Sequence, residues 1–255
     1  MDALHLGLLL SGSVAAGVVN ALAGGGSLVT LPILLGLGLP PVSANATNAV
    51  AAWAGLIGGS LRYAPTLAPH RRTVGWFAVI STLGGAIGGA LMLATPRAVL
   101  HAAMPWLVLV ATLTFLLAPY IHQAVRGKAA WDLDRTGDLA GWRGVVHFLV
   151  SIATGYFNPA GGVMMVAAFH GYGLTDLRLA NGLKIVLGMT MTGASVAVFV
   201  LAGAVIWPIA LLMVAGTILG GWLGAGLALR VDRRWLRGFV LAWGGMMSVA
   251  FLVPA

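Results

Sequence analysis

Two asparagines stand just before runs of glycine, and this combination of residues suits the binding of an anion. Asn20 precedes the glycines at 24–26, and Asn158 precedes those at 161–162. Consecutive glycines are poor helix interior, so each run predicts a break in an apolar helix. A helix that restarts after a break points backbone N–H groups and its positive dipole end at that break, where asparagine amides would add further donors.

Other polar side chains occur close to the two glycine runs. Lys184 lies about five residues into a later apolar segment, roughly 7–8 Å along a helix axis. Its side chain either extends back to the membrane interface or faces a central cavity and pairs with an anion; the absence of acids within apolar segments favours the cavity. The predicted substrate-binding set is Asn20, Gly24, Gly25, Gly26, Ser27, Asn45, Thr47, Asn48, Asn158, Gly161, Gly162, Asn181 and Lys184.

The composition indicates a polytopic membrane protein. Of the 255 residues, 60% are hydrophobic and only 8% are charged, and the apolar runs are too many and too long for a soluble domain. The chain has no cysteine, no His-Glu-x-x-His sequence and no paired aspartates in apolar runs, so we predict no enzyme, no catalytic residue, no metal site and no cofactor. The net charge of +8 comes from Arg and Lys between apolar runs, which indicates loops near anionic lipid rather than a nucleic-acid surface.

Ten apolar segments follow one another along the chain. Four are short or marginal for a spanning helix, which needs roughly 20 residues. Three of these four adjoin the glycine runs, so we interpret them as parts of broken or re-entrant helices. The short segments are 27–39, 145–157, 163–170 and 239–253, and the longer ones are 4–22, 44–61, 74–94, 99–121, 179–202 and 205–229.

The two halves of the chain resemble each other in the same order. Gly17-Val-Val-Asn20 matches Gly155-Tyr-Phe-Asn158, and Ala44-Asn45 matches Ala180-Asn181 with one inserted residue. We therefore predict a first transmembrane repeat at 1–122, a cytoplasmic linker at 123–144 and a second repeat at 145–255. An isolated asparagine in a membrane helix usually bonds to a neighbouring helix, but its occurrence at the same place in both repeats favours contact with substrate. The paired glycines at 58–59, 84–85, 88–89 and 220–221 are interpreted as helix-packing sites.

The distribution of basic residues predicts the topology. If each broken helix crosses the membrane once, the basic residues divide almost evenly between the two sides. If each broken helix is instead a pair that enters and returns on the same side, twelve basic residues lie on one side of the membrane and Arg97 alone on the other. The twelve are Arg62, Arg71, Arg72, Arg126, Lys128, Arg135, Arg143, Arg178, Arg230, Arg233, Arg234 and Arg237. The loops at 123–143 and 230–237 are then cytoplasmic and both termini periplasmic.

The fold class that this topology predicts is an all-α polytopic membrane protein with two inverted repeats. Each repeat consists of a broken or re-entrant helix pair plus three transmembrane helices. Inverted repeats with discontinuous helices are typical of secondary transporters, which bind substrate near the midplane where the breaks meet.

The motifs also resemble a known family over nearly the whole chain. Ser27-Leu-Val-Thr-Leu-Pro32, Gly38-Leu-Pro-Pro41 and Ala44-Asn-Ala-Thr47, with Asn158-Pro-Ala-Gly-Gly162 in the second half, are similar to motifs of the TauE/SafE family of sulfite and organosulfonate exporters. The resemblance implies a carrier in the bacterial inner membrane for sulfite, thiosulfate or sulfonates such as sulfoacetate. It places the glycines of both runs, Asn20, Thr47 and Asn158 near the substrate. The second repeat departs from the first, with no counterpart of Pro32 and with Lys184 where the first repeat has a neutral residue.

The lack of acids in the apolar segments bears on how transport is driven. No carboxylate is placed to relay a proton, so proton-linked export would need either His147 as the carrier or a substrate that travels partly protonated. A histidine at such a position more commonly belongs to the core or the interface. Moving one negative charge out of an inside-negative cell releases about 2.3 kcal/mol per 100 mV, so we predict a uniporter-like or weakly coupled exporter. An anion channel, or an importer of the same substrates, remains an alternative, and the oligomeric state is left open.

Overall fold

The structure, a computed structural model, describes residues 3–22, 25–124, 133, 141–174, 176–227, 238 and 242. Within these ranges the secondary structure is helical. The predicted segment at 239–253, the loop at 230–237 and most of the linker lie outside the described residues. The helices are α1 (Ala3–Leu22), α2 (Ser27–Gly36), α3 (Pro41–Leu67), α4 (Arg71–Ala94), α5 (Arg97–Ala124), α6 (Trp142–Tyr156), α7 (Gly161–Gly171), α8 (Leu177–Leu201) and α9 (Trp207–Leu227).

Both predicted helix breaks are confirmed. At the first, Gly25 adopts a φ of +95°, a conformation that favours glycine, and Gly26 then precedes α2. The second break comes slightly earlier than predicted, since Phe157 is extended, Asn158–Ala160 form a 3₁₀ turn, and the glycines already belong to α7. The reason is Pro159, which has no N–H to donate back into α6 and whose ring clashes with the preceding helical turn.

The helix lengths separate spanning helices from half-helices. Three stretches of the described chain are long and apolar enough to cross a membrane, namely Pro41–Ala94, Arg97–Thr114 and Arg178–Leu201, and the first of these comprises both α3 and α4. In contrast, α2 has 10 residues and α7 has 11. At about 1.5 Å per residue they reach roughly half of a ~30 Å hydrocarbon layer. These two helices therefore cannot span a membrane alone.

Glycines set the closest helix contacts. A Cβ built on Gly17 of α1 would lie 2.4 Å from the carbonyl oxygen of Thr217 in α9. A Cβ built on Gly155 of α6 would lie 2.3 Å from the carbonyl oxygen of Gly85 in α4. The paired glycines at 84–85, 88–89 and Gly220 likewise approach backbone atoms, which confirms their predicted packing role, but a Cβ on Gly58 or Gly221 would meet open space.

The order of these contacts gives the direction in which neighbouring helices run. Residue numbers rise together along the α1–α9 contact, where Ser13 adjoins Gly216 and Val14 adjoins Gly220, so these helices are parallel. Residue numbers also rise together along the α4–α6 contact, so α4 and α6 are parallel as well. In the α3–α8 contact the numbers run in opposite senses, from Trp53 beside Gly193 to Tyr63 beside Gly182. The centre of the bundle is therefore an antiparallel pair, flanked by two parallel pairs.

The α6–α7 hairpin is closed at its base by a reciprocal pair of hydrogen bonds. Arg143 Nη2 donates to the carbonyl of Tyr172 at 3.3 Å, and the Tyr172 hydroxyl donates to the carbonyl of Arg143 at 3.0 Å. Tyr172 packs in one apolar cluster with Leu67 and Leu133, and the hydroxyl of Thr73 at the start of α4 donates to the carbonyl of Leu133. The ends of α3 and α7 and the starts of α4 and α6 thus gather at one end of the bundle.

A substitution at Gly85 tests this packing. A Cβ there would lie 2.1 Å from the carbonyl oxygen of Met191, so Gly85→Ala should force α4 away from α8 and lower the free energy of unfolding by about 3 kcal/mol. Thermal unfolding in detergent measures this loss. Gly58→Ala is the matched control, since its new methyl group meets no atom within 4 Å and should leave the midpoint unchanged. Equal midpoints for the two variants would contradict the packing.

Candidate functional site

The two helix breaks meet through side chains. Ser27, the first residue of α2, donates its hydroxyl to Asn158 Oδ1 at 3.2 Å, although 131 residues separate them. Asn158 lies in the 3₁₀ turn before α7 and donates its Nδ2 to Thr192 Oγ1 of α8 at 3.1 Å. A continuous chain of polar groups therefore joins both breaks and a spanning helix.

Thr192 was absent from the predicted set. The sequence spacing could have indicated it. Thr192 follows Asn181 by eleven residues, which is close to three full helical turns, so both residues lie on one face of α8. The structure places Asn181 half-buried, three residues before Lys184.

A second polar contact lies beside the first turn of α2. The Thr30 hydroxyl donates to Asn48 Oδ1 at 2.5 Å and lies 3.5 Å from the carbonyl oxygen of Gly26. Asn48 is 1% exposed, and its Nδ2 has no hydrogen-bond partner among the described residues. Leaving a buried amide donor unpaired costs free energy unless a ligand or water satisfies it. This donor is therefore well suited to a ligand at the first break.

The first break is held tightly against α1. A Cβ on Gly26 would lie 2.3 Å from the carbonyl oxygen of Ala16 and 3.1 Å from the Cβ of Asn20. Asn20 is exposed in the last turn of α1, and its Nδ2 is 3.9 Å from the position of a Cβ on Gly55 in α3. Asn20 thus lies beside the first break, as predicted from its position in the sequence.

The second break has a cationic side chain beside it. The aliphatic stem of Lys184 approaches the start of α7, with its Cδ 3.8 Å from the position of a Cβ on Gly162. Gly161 faces Thr154 of α6, whose Cγ2 would be 2.2 Å from a Cβ at that position. The stem of Lys184 therefore lies beside the first turn of α7, and the cavity-facing orientation of its ammonium group stays a prediction.

Asn45 and Thr47 make hydrogen bonds that hold α3 against other parts of the bundle. Asn45 is fully buried and donates its Nδ2 to the carbonyl of Tyr156 at 3.2 Å, just before the second break. Thr47 Oγ1 accepts a hydrogen bond from the backbone N–H of Ile206 at 3.1 Å, where the chain enters α9. Both residues tie α3 to another part of the bundle, Asn45 to the end of α6 and Thr47 to the residue before α9.

His147 is buried in α6 among aromatic rings. Its Nε2 lies 2.8 Å from the hydroxyl of Ser81, and its ring stacks on Phe169 with a centroid distance of 5.9 Å and meets the edge of Phe77 at 4.8 Å. These contacts are with α4 and with the far end of α7 rather than with the breaks. The described residues also contain no group of three or more His, Asp or Glu that could hold a metal ion.

Comparison with known proteins assigns the chain to a family. Residues 9–251 match the family model described as "Sulfite exporter TauE/SafE". The chain belongs to the TauE/SafE family. A "Probable membrane transporter protein" of Haemophilus influenzae is 32% identical over 245 residues, covering 95% of this chain and 92% of that protein. The "Probable membrane transporter protein YfcA" of Escherichia coli K12 is 30% identical over 253 residues, covering 98% and 90% respectively.

This TauE/SafE chain is therefore a multi-pass membrane transporter, and the names of its relatives agree with the prediction that it is not an enzyme. No solved structure matches it significantly. Of the residues that the resemblance implies, Asn20, Gly25 and Gly26 lie at the first break, and Asn158 and the glycines at 161–162 lie at the second. Gly24 lies outside the described residues.

Replacing Thr47 distinguishes a substrate contact from a structural tie in this TauE/SafE protein. Thr47→Val keeps the shape but leaves the Ile206 N–H without its acceptor, so we expect the free energy of unfolding to fall by about 1–2 kcal/mol and the half-saturation concentration for substrate to stay unchanged. Detergent unfolding and flux measurements test the two parts. Thr82→Val is the control, because its exposed hydroxyl bonds to Ala78 within its own helix. Weaker substrate binding at unchanged stability would instead support the predicted contact of Thr47 with substrate.

Proposed function

We propose that this TauE/SafE protein is a secondary transporter that exports small sulfur-containing anions across the cytoplasmic membrane by alternating access. Its substrates are sulfite, thiosulfate or an organosulfonate such as sulfoacetate, and the substrate is held where the two helix breaks meet near the midplane. The hydrogen bond between Ser27 and Asn158 is the observation that supports this proposal most strongly, because it joins the start of α2 to the turn that precedes α7.

The chemistry of the groups at this junction suits an oxyanion. Amide N–H donors come from Asn158 and Asn48, the Ser27 hydroxyl lies beside Asn158, and the described helices contain neither Asp nor Glu. Both α2 and α7 begin here, and the first turn of a helix presents backbone N–H groups and a positive dipole end to an anion. Lys184, whose Cδ lies 3.8 Å from the position of a Cβ on Gly162, is the proposed cation of the second half-site. An oxyanion with three or more oxygens can accept from several of these donors at once.

The packing supports two inverted repeats. In this proposal α1, α2, α3 and α4 correspond to α6, α7, α8 and α9, and α5 corresponds to the chain beyond α9. In this correspondence Gly17 of α1 matches Gly155 of α6, and α4 matches α9. Gly17 packs on α9 and Gly155 packs on α4, so the two glycine contacts are equivalent. Repeats related by an axis in the membrane plane require the matched helices α3 and α8 to be antiparallel, as observed. Each repeat then supplies one half-helix to a shared site.

The end that carries Arg143 is proposed to face the cytoplasm, with both termini outside. Arg62, Arg71, Arg72 and Arg178 flank helix ends at this end of the bundle, whereas Arg97 begins α5 at the other. Export of an anion from an inside-negative cell is then downhill by about 2.3 kcal/mol per charge per 100 mV. The distance of His147 from the breaks supports uniport rather than proton coupling.

Flux measurements in proteoliposomes test the function. Vesicles loaded with labelled sulfoacetate should release it with saturation, an inside-negative potential should accelerate release, and unlabelled sulfoacetate on the outer side should stimulate it by counterflow. Saturation without counterflow would identify an anion channel, and flux in one direction only, inward, would identify an importer. Strict proportionality to an imposed pH gradient would refute uniport, and the absence of flux with sulfite, thiosulfate and sulfoacetate would refute the substrate class.

A further inference from the structure

A cleft of about 750 Å³ opens at the end of the bundle opposite Arg143. It lies between the turn that joins α2 to α3, the start of α5 and the turn that joins α8 to α9. None of the predicted substrate-binding residues lines it. The polar and turn residues that line it include Gly38, Pro40, Ser43, Thr95, Arg97 and His101.

The charge of this cleft is unusual for its side of the protein. Arg97 is the one basic residue that the charge distribution assigns to this face, and it lines the cleft together with His101. The two residues are four positions apart in α5, so they share one face of the helix, and both are exposed. The lining residues include no acid, and Ser43 contributes a hydroxyl group, whereas the Thr95 hydroxyl donates to the carbonyl of Leu91. A basic side chain and a hydroxyl in an open cavity of this size suit a small oxyanion.

The lining of the cleft is in contact with the end of α6, beside the second helix break. The hydroxyl of Thr95, which lines the cleft, lies 3.3 Å from the hydroxyl of Tyr156, and Tyr156 ends α6 two residues before Asn158. The floor of the cleft includes Leu100 and Met104, which are buried in the same apolar cluster as residues of α2. One pair of hydroxyl groups and one apolar cluster therefore link the lining of the cleft to residues beside the two breaks.

We propose that this cleft is an outer anion vestibule, a second and weaker binding site for small sulfonates in which Arg97 attracts the anion. The substrate class rests on the function proposed above, whereas the existence of the vestibule rests on the cleft and its charge. An anion that leaves the breaks would be held here before release, and an external anion would bind here first during counterflow.

The absence of native cysteine allows a direct test by charge replacement. Arg97→Cys should raise the external half-saturation concentration for sulfoacetate counterflow about fivefold, the effect of removing one partly exposed charge. Modification with a positively charged, membrane-impermeant methanethiosulfonate should restore the original value, and the negatively charged reagent should raise it further. Arg62→Cys, the same exposed charge removed at the opposite end, should show none of these changes.

A labelling experiment separates the vestibule from the transport function. External sulfoacetate should slow modification of the Arg97→Cys variant by the negative reagent; sulfite is unsuitable because it cleaves the mixed disulfide. Normal transport with no protection and an unchanged half-saturation concentration would overturn the vestibule and leave the proposed function standing. Protection in a protein that transports no sulfur anion would support the vestibule and refute the function. The absence of both would refute both.

Discussion

Asn158→Asp is expected to reduce transport of a monovalent sulfonate roughly 100-fold while leaving the fold intact. The aspartate keeps the oxygen that accepts from Ser27, and the Thr192 hydroxyl can rotate to donate to its second oxygen. The new negative charge lies where the two breaks meet. At about 5 Å from a bound anion and an effective dielectric constant near 20, the repulsion is about 3 kcal/mol per unit of substrate charge.

Substrates of different charge provide the internal control for this variant. Proteoliposome flux should fall much further for sulfoacetate, a dianion, than for methanesulfonate, a monoanion, because the repulsion scales with the substrate charge. Ser27→Ala removes one hydrogen bond without adding charge and should cost only a few-fold. An equal loss for both anions would attribute the effect to altered structure, and full activity of Asn158→Asp would place the substrate elsewhere.

Gly161→Ala is expected to inactivate the transporter in a way that a second substitution repairs. Its Cβ would lie 2.2 Å from Thr154 Cγ2, so the start of α7 would shift away from α6 and the free energy of unfolding would fall by about 2 kcal/mol. Thr154→Ala removes the two closest obstructing atoms, Cγ2 and Oγ1, and leaves the Cβ of residue 154 at 3.0 Å, a distance that a small shift relieves. It sacrifices only a hydrogen bond to the carbonyl of Val150 in its own helix. The double variant should therefore regain most of both flux and thermal stability.

The corresponding change at the first break serves as the contrasting case. Gly26→Ala meets the backbone carbonyl of Ala16 at 2.3 Å, an atom that no side-chain substitution removes. We expect this variant to lose flux and stability, with no rescue by smaller side chains nearby. Flux and thermal unfolding in detergent are compared for Gly161→Ala, Thr154→Ala, the double variant and Gly26→Ala. If Thr154→Ala fails to restore Gly161→Ala, the start of α7 is not positioned by this contact.

Local backbone chemistry made the two breaks predictable from the sequence. The glycines at 25–26 and Pro159 favour a break, because glycine disfavours helical geometry and proline obstructs the preceding turn. The glycine pairs at 84–85 and 88–89, in contrast, remain inside α4. The predicted segment at 74–94 became α4 at Arg71–Ala94, and the segment at 44–61 became the longer α3. That helix extends further because Pro41 is favourable at its first position and the polar residues after residue 61 continue it.

Partners across the bundle were not predictable in this way. The sequence pattern placed Asn20 and Asn158 at equivalent positions, but the bond between Ser27 and Asn158 and the inclusion of Thr192 depend on how α2, the 3₁₀ turn and α8 pack. Thr47 belongs to the motif that resembles the family, yet its hydroxyl bonds to Ile206, 159 residues away. A motif identifies a residue type at a position, and the packing of distant helices decides what that residue touches.

The sequence by itself determined that this chain lies in a membrane and where its helices are interrupted, and it predicts how the charges divide between two faces. These properties follow from transfer free energies and backbone preferences, which act within a window of a few residues. Only the tertiary structure decided that the two breaks touch, that Asn48 retains a buried donor beside α2 and that Arg97 lines a cleft. Those features depend on close glycine contacts between helices far apart in the chain, which fix their separations and crossings.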